Sequence, residues 1–114
     1  MNANAKKWVA ALRSGKYKQA KAAIRDGDHF CCLGVACDLY GKANKVKWTG
    51  AEDFLGHSDV LPDEVREWLG LTSDEGFYTA RNGQSSTLAI RNDAGVKFDR
   101  IADIIESEPK GLFA

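Results

Sequence analysis

Residues 28–40 (Asp-His-Phe-Cys-Cys-Leu-Gly-Val-Ala-Cys-Asp-Leu-Tyr) constrain the fold more than any other part of the chain. They hold all three cysteines and one of the two histidines. From residue 31 to 40 they read as a helix. Cys32, Val35, Ala36 and Leu39 fall on one side, and Leu33, Cys37 and Tyr40 on another. A helix that is apolar around its circumference belongs in the middle of a core, so the rest of the chain must wrap it. Gly41 is expected to end it. The 114 residues suit one domain, 1–114, which is long enough to bury such an element without metal or disulfide support.

Amphipathic segments supply the wrapping. Residues 4–14 read as a helix capped by Asn4 and stopped by Gly15, with Trp8 and Leu12 on one face. Residues 16–25 have helix-favouring alanine and lysine. The Asp26-Gly27 turn signal after them favours an extended arm in a hairpin with Phe30. Residues 42–60 read as loop, with a short strand at Val46 and Trp48. Residues 61–70 read as a helix with Pro62 in its first turn and Gly70 as its stop. Residues 77–79 read as a strand turning at Asn82-Gly83. Residues 87–90 fit either the return strand or a short helix ending at Gly95. Residues 98–107 form a helix whose stripe is Phe98, Ile101, Ala102 and Ile105. The apolar tail, 111–114, is expected to dock on the core. Together these predict an α+β domain, with three to four helices around a small antiparallel sheet.

No apolar run in the first residues reads as a secretory leader, and none is long enough to span a membrane. Adjacent cysteines in an odd total make a poor disulfide framework, so free thiols and a cytoplasmic setting are expected. The cysteine spacings do not suit zinc, and no metal or other cofactor is expected. Cys31 or Cys32 at a helix N-terminus, with His29 or His57 as base, defines a thiol-enzyme alternative. Burial of the thiols as small hydrophobes is the competing reading. The sequence contains no P-loop, G-x-G-x-x-G, G-x-S-x-G or H-E-x-x-H motif, which disfavours the common enzyme classes.

Charge is distributed unevenly. Residues 1–50 carry ten Lys and Arg against three Asp, a net of +7, and the remainder carry six against thirteen acids, a net of −7. The basic half holds the candidate ligand contacts Lys16, Tyr17, Lys18, Gln19, Lys21 and Arg25. In an extended segment these lysines would alternate onto one face and meet an anion. Trp48 and Tyr78 are candidates to stack on a base, and Arg81, Arg91 and Asn92 to hydrogen-bond one. Each has a plainer reading, as solvated charge, core aromatic or turn residue. Residues 88–105 can be set against a helix-turn-helix with Gly95 in the turn. Asp99, Asp103 and Glu106 on its second helix would repel a phosphate backbone, so nucleic-acid regulation by this pair is a disfavoured alternative.

Three blocks carry a resemblance: Phe30-Cys31-Cys32-Leu33-Gly34-Val35 with Cys37-Asp38-Leu39; Leu61-Pro62 before Val65 and Trp68-Leu69-Gly70; and Asn92-Asp93-x-Gly95 before Phe98 and residues 101–106 (Ile-Ala-Asp-Ile-Ile-Glu). In these the chain resembles small proteins encoded by tailed phages and prophages, over most of its length after Tyr17. The resemblance brings no catalytic residues. It implies an accessory protein of the bacterial host cytoplasm that binds rather than catalyses. Such a protein would interfere with host defence or metabolism by sequestering a host protein or a small nucleotide messenger. A pocket for such a ligand is expected to form across a homo-oligomer, because so small a monomer offers little concave surface.

Overall fold

The computed structural model describes residues 1–50 and 52–114, so the loop expectation at Ala51 lies outside the described residues. Among those residues are five helices: α1 (Ala3–Arg13), α2 (Cys32–Asn44), α3 (Asp63–Leu69), α4 (Leu88–Asp93) and α5 (Phe98–Glu106). Five short strands accompany them: β1 (Lys18–Gln19), β2 (Arg25–Asp26), β3 (His29–Phe30), β4 (Phe77–Thr79) and β5 (Ser85–Thr87). The class is α+β, as expected, with α2 at the centre of one core.

Cys32, Leu33, Val35, Ala36 and Cys37 of α2 are all fully buried. Gly41 does not end this helix. A Cβ there would lie 2.5 Å from the Val46 carbonyl oxygen and 3.1 Å from the Phe54 ring, so the missing side chain lets the following loop pack against the helix. The helix runs on to a left-handed cap at Lys45, φ 58°. The expected strand at Val46 and Trp48 is absent. The Val46 N–H instead donates to Gly41 O at 3.0 Å, continuing the helix end.

The chain before α2 is extended, as read, but in a mixed sheet of order β1-β3-β2 rather than a purely antiparallel one. β1 runs parallel to β3, and β2 antiparallel to it, pairing Arg25 with Phe30 and Asp26 with His29. The hairpin turn is therefore Gly27-Asp28, one residue later than the Asp26-Gly27 signal suggested.

Helix α1 begins at Ala3, with Asn2 rather than Asn4 as its cap. Asn2 has the extended backbone of a cap, and its side chain accepts from Ala5 N at 2.8 Å. Asn4 lies inside the helix and donates to Trp68 O at 3.0 Å. Pro62 precedes α3 as its cap residue, with Asp63 and Glu64 at the positive end of the helix dipole. The ambiguity at 87–90 resolves at one residue. Thr87 ends β5, and its hydroxyl accepts from Ile90 N at 3.0 Å, capping α4. The α5 stripe of Phe98, Ile101, Ala102 and Ile105 is buried as read. The tail docks too: Leu112 is fully buried and its carbonyl accepts from Thr72 N at 3.0 Å.

Candidate functional site

The thiols sit in the core. Cys31 is the N-cap of α2, its Sγ accepting from Gly34 N at 3.4 Å. A helix N-terminus lowers a thiol pKa, but here desolvation is the larger effect, and Cys31 is pushed up to about 11. Burial, reinforced by the neighbouring Cys31, raises Cys32 and Cys37 as well. The Cys32 thiol donates to Leu88 O at 3.7 Å. His29 is half exposed with Nδ1 2.8 Å from the Asp28 carboxylate, and His57 closes a backbone turn with Phe54. Among the described residues no hydrogen bond joins either histidine to a thiol. No cluster of three His, Cys, Asp or Glu side chains suited to a metal occurs there.

In the basic arm Lys16 and Lys18 are exposed and alternate with the half-buried Tyr17 and Gln19, but its strands are only two residues long and Tyr17 and Gln19 turn inward. Tyr17 donates to Asp38 Oδ2 at 2.6 Å, Trp48 Nε1 donates to Oδ1 at 3.2 Å, and Lys42 pairs with the same carboxylate at 3.1 Å. Burial pushes the Asp38 carboxyl up, but the hydrogen bonds from Tyr17, Lys42 and Trp48 outweigh it and hold it below its ordinary value. Burial and the bond to Asp38 raise the Tyr17 phenol. The Arg25 guanidinium lies 4.9 Å from the Phe30 ring centroid and 5.1 Å from that of Trp48, with Nε donating to Gly27 O. Lys18 pairs with Asp28 at 3.3 Å, and Lys16 and Lys21 remain exposed.

Gln19 and Asn92 are internal braces rather than ligand contacts. Asn92 is fully buried; its Oδ1 accepts from Cys32 N at 3.1 Å and from Gln19 Nε2 at 2.9 Å, and its Nδ2 donates to Ala20 O at 2.7 Å. One side chain thus ties β1, the start of α2 and α4 together.

Two of the expected residues, Tyr78 and Arg91, do meet. They line an open cleft of about 770 Å³ between the β4–β5 hairpin and the α4–α5 pair. Arg100 joins them from α5, the hairpin contributes Asn82, Gln84 and two serines, and Val96 and Ile104 form an apolar wall. Among the described residues Arg91 and Arg100 make no ion pair. Tyr78 is only 5% exposed and its hydroxyl has no hydrogen-bond partner there. Among the described residues no buried side-chain oxygen or nitrogen is left unsatisfied, so that hydroxyl meets solvent, and Tyr78 borders both this cleft and the groove beside it. Arg81 lies around the hairpin, on a neighbouring groove with Pro109 and Lys110.

Arg100, Ser85 and Ser86 are absent from the sequence-based candidates. The available signal was the second stripe of α5: Arg100, Ile104 and Ser107, spaced by four and three, stand apart from its core stripe. The α4–α5 pair has its turn where Gly95 was read. Asp103 and Glu106, however, pair with Arg13 of α1, and α1 packs along α5. The second helix is therefore lodged against α1, which holds two of its acids, Asp103 and Glu106. The cleft is built within one chain and does not need a dimer to form it.

No helix of the described residues is long and apolar enough to cross a membrane. No curated protein and no solved structure matches the chain. A family model described as a domain of unknown function (DUF8296) matches residues 1–109, and the chain belongs to that family.

Proposed function

We propose that the protein is a binding protein that sequesters a small nucleotide in the cleft between the β4–β5 hairpin and α4–α5. The observation that carries this reading is the pair of guanidiniums, Arg91 and Arg100, on one cleft with Tyr78, with no ion pair to either among the described residues. Guanidinium groups donate in a planar fork that matches phosphate oxygens, and a charged acceptor makes those bonds strong. The Tyr78 hydroxyl supplies a further donor. Asn82 and Gln84 offer the mixed donors and acceptors that read a base edge, and Val96 with Ile104 offers it an apolar surface. The raised thiol pKa values support binding over cysteine chemistry. The likeness to small phage proteins supports a setting in the bacterial cytoplasm, where removing a nucleotide messenger would blunt a host response.

A thermal-shift screen against mononucleotides, dinucleotides and cyclic oligonucleotides tests this. A ligand at 100 times its Kd adds about 2.7 kcal/mol, which raises the melting temperature of a domain this size by roughly 10 °C or more. One ligand class is expected to do so, and Arg91→Ala or Arg100→Ala to abolish the shift. A flat response across the panel contradicts the nucleotide reading and favours a host protein as the sequestered partner.

A further inference from the structure

The geometry points to Arg13, on α1, as a positioning residue for the anion site: it holds Asp103 away from Arg100 and so keeps that guanidinium open to phosphate. This rests on the ligand reading above and adds to it a residue outside the cleft. Asp103 stands on the cleft wall, three residues after Arg100 on α5. Side chains three apart on a helix are neighbours, and opposite charges at that spacing pair readily. Arg100 is nonetheless unpaired among the described residues, because Arg13 takes the carboxylate. Arg13 Nη2 donates to Asp103 Oδ1 at 2.7 Å, and Nη1 donates to Glu106 Oε2 at 3.0 Å.

One guanidinium gripping two carboxylates holds its geometry better than a lone surface pair. Its base is also fixed, since α1 packs on α5 through a core that includes the buried Trp8, Leu12, Ile101 and Ile105. When Arg13 is removed, Asp103 is released to its helical neighbour. It then neutralises Arg100 and competes with any phosphate for it.

The test follows the Arg100 Nε–H by NMR, and pyrophosphate binding by calorimetry, in four proteins: wild type, Arg13→Gln, Arg13→Gln/Asp103→Asn and Glu106→Gln. Exchange of the Arg100 Nε–H with water is expected to be fast in wild type, slower in Arg13→Gln and fast again in the double variant. Pyrophosphate affinity falls about twofold in Arg13→Gln, the size of one ion pair on a helix surface, and returns in the double variant. Glu106→Gln keeps Asp103 held, so exchange stays fast and binding is not weakened. Unchanged Arg100 exchange in Arg13→Gln overturns the inference whatever the ligand does. A double variant that binds as weakly as Arg13→Gln also overturns it, since loss of fold would look the same in both; a distant-charge effect, which the double variant also reverses, would leave Arg100 exchange unchanged. Failure of wild-type protein to bind pyrophosphate overturns the anion-site reading instead, and the exchange measurement still decides what Arg13 does.

Discussion

At Gly34 the chain has no room for one more carbon. A Cβ would fall 1.6 Å from the Ile24 carbonyl oxygen, so the strand connection lies directly on the first turn of α2. Gly34→Ala must push backbone apart, and is expected to cost about 3 kcal/mol or more, read as a lower urea midpoint. Three residues earlier, burial sets the chemistry of the thiols. With Cys31 raised to about 11 and its neighbours raised as well, the folded protein is expected to ignore a thiol reagent at pH 8 and to react only on unfolding. Rapid labelling of one thiol in the folded state would contradict this. Asp38 gives a pH signature. Its folded pKa lies below its ordinary value, so the unfolded chain takes up the proton first as pH falls. The stability it contributes is complete above the unfolded value, about 4, and is lost as pH drops through the lower folded value. Urea melts from pH 6 to pH 3 are expected to show a shallower acid decline in Asp38→Asn than in wild type. Residue type alone did not reveal these environments. The Asn92-Asp93-x-Gly95 run reads as an exposed turn, yet Asn92 is fully buried and satisfied from three directions.

The elements were legible where one physical signal dominated. All-round apolarity placed α2 at the centre, and a clean stripe placed α5 against the core. Boundaries were less legible, because they depend on contacts from distant segments. Gly41 looks like a stop but is the spot where the Val46 loop and Phe54 approach the helix, and residues far along the chain make it so. Residues 87–90 fitted both strand and helix because Thr87 serves both, closing β5 and capping α4. Asn92 links three such elements. Asn92→Ala leaves the Cys32 N–H and the Ala20 carbonyl without their partner. The expected cost is about 3 kcal/mol, with hydrogen-exchange protection lost together in β1, the start of α2 and α4. A loss confined to α4 would show that the brace does not couple them.

At the scale of the whole molecule, the +7 and −7 halves of the sequence meet where Arg13 pairs with Asp103 and Glu106, joining the first helix to the last. What this pairing leaves over matters more than the totals. Among the described residues Arg91 and Arg100 remain unpaired, on a cleft that neither helix forms alone, which is why a linear reading reached Arg91 and Tyr78 but not Arg100. In the basic arm, prominent in sequence, Tyr17, Lys18 and Arg25 hold its own sheet and aromatic cluster, while Lys16 and Lys21 stay exposed. A ¹⁵N NMR titration with inorganic pyrophosphate, a probe of the phosphate-binding groups that every nucleotide screened would use, tests this division most directly. Saturable shifts are expected at Tyr78, the hairpin turn, Arg91 and Arg100, with residues 16–21 unmoved. No shift at millimolar pyrophosphate, or shifts centred on Lys16, Lys18 and Lys21, would contradict it.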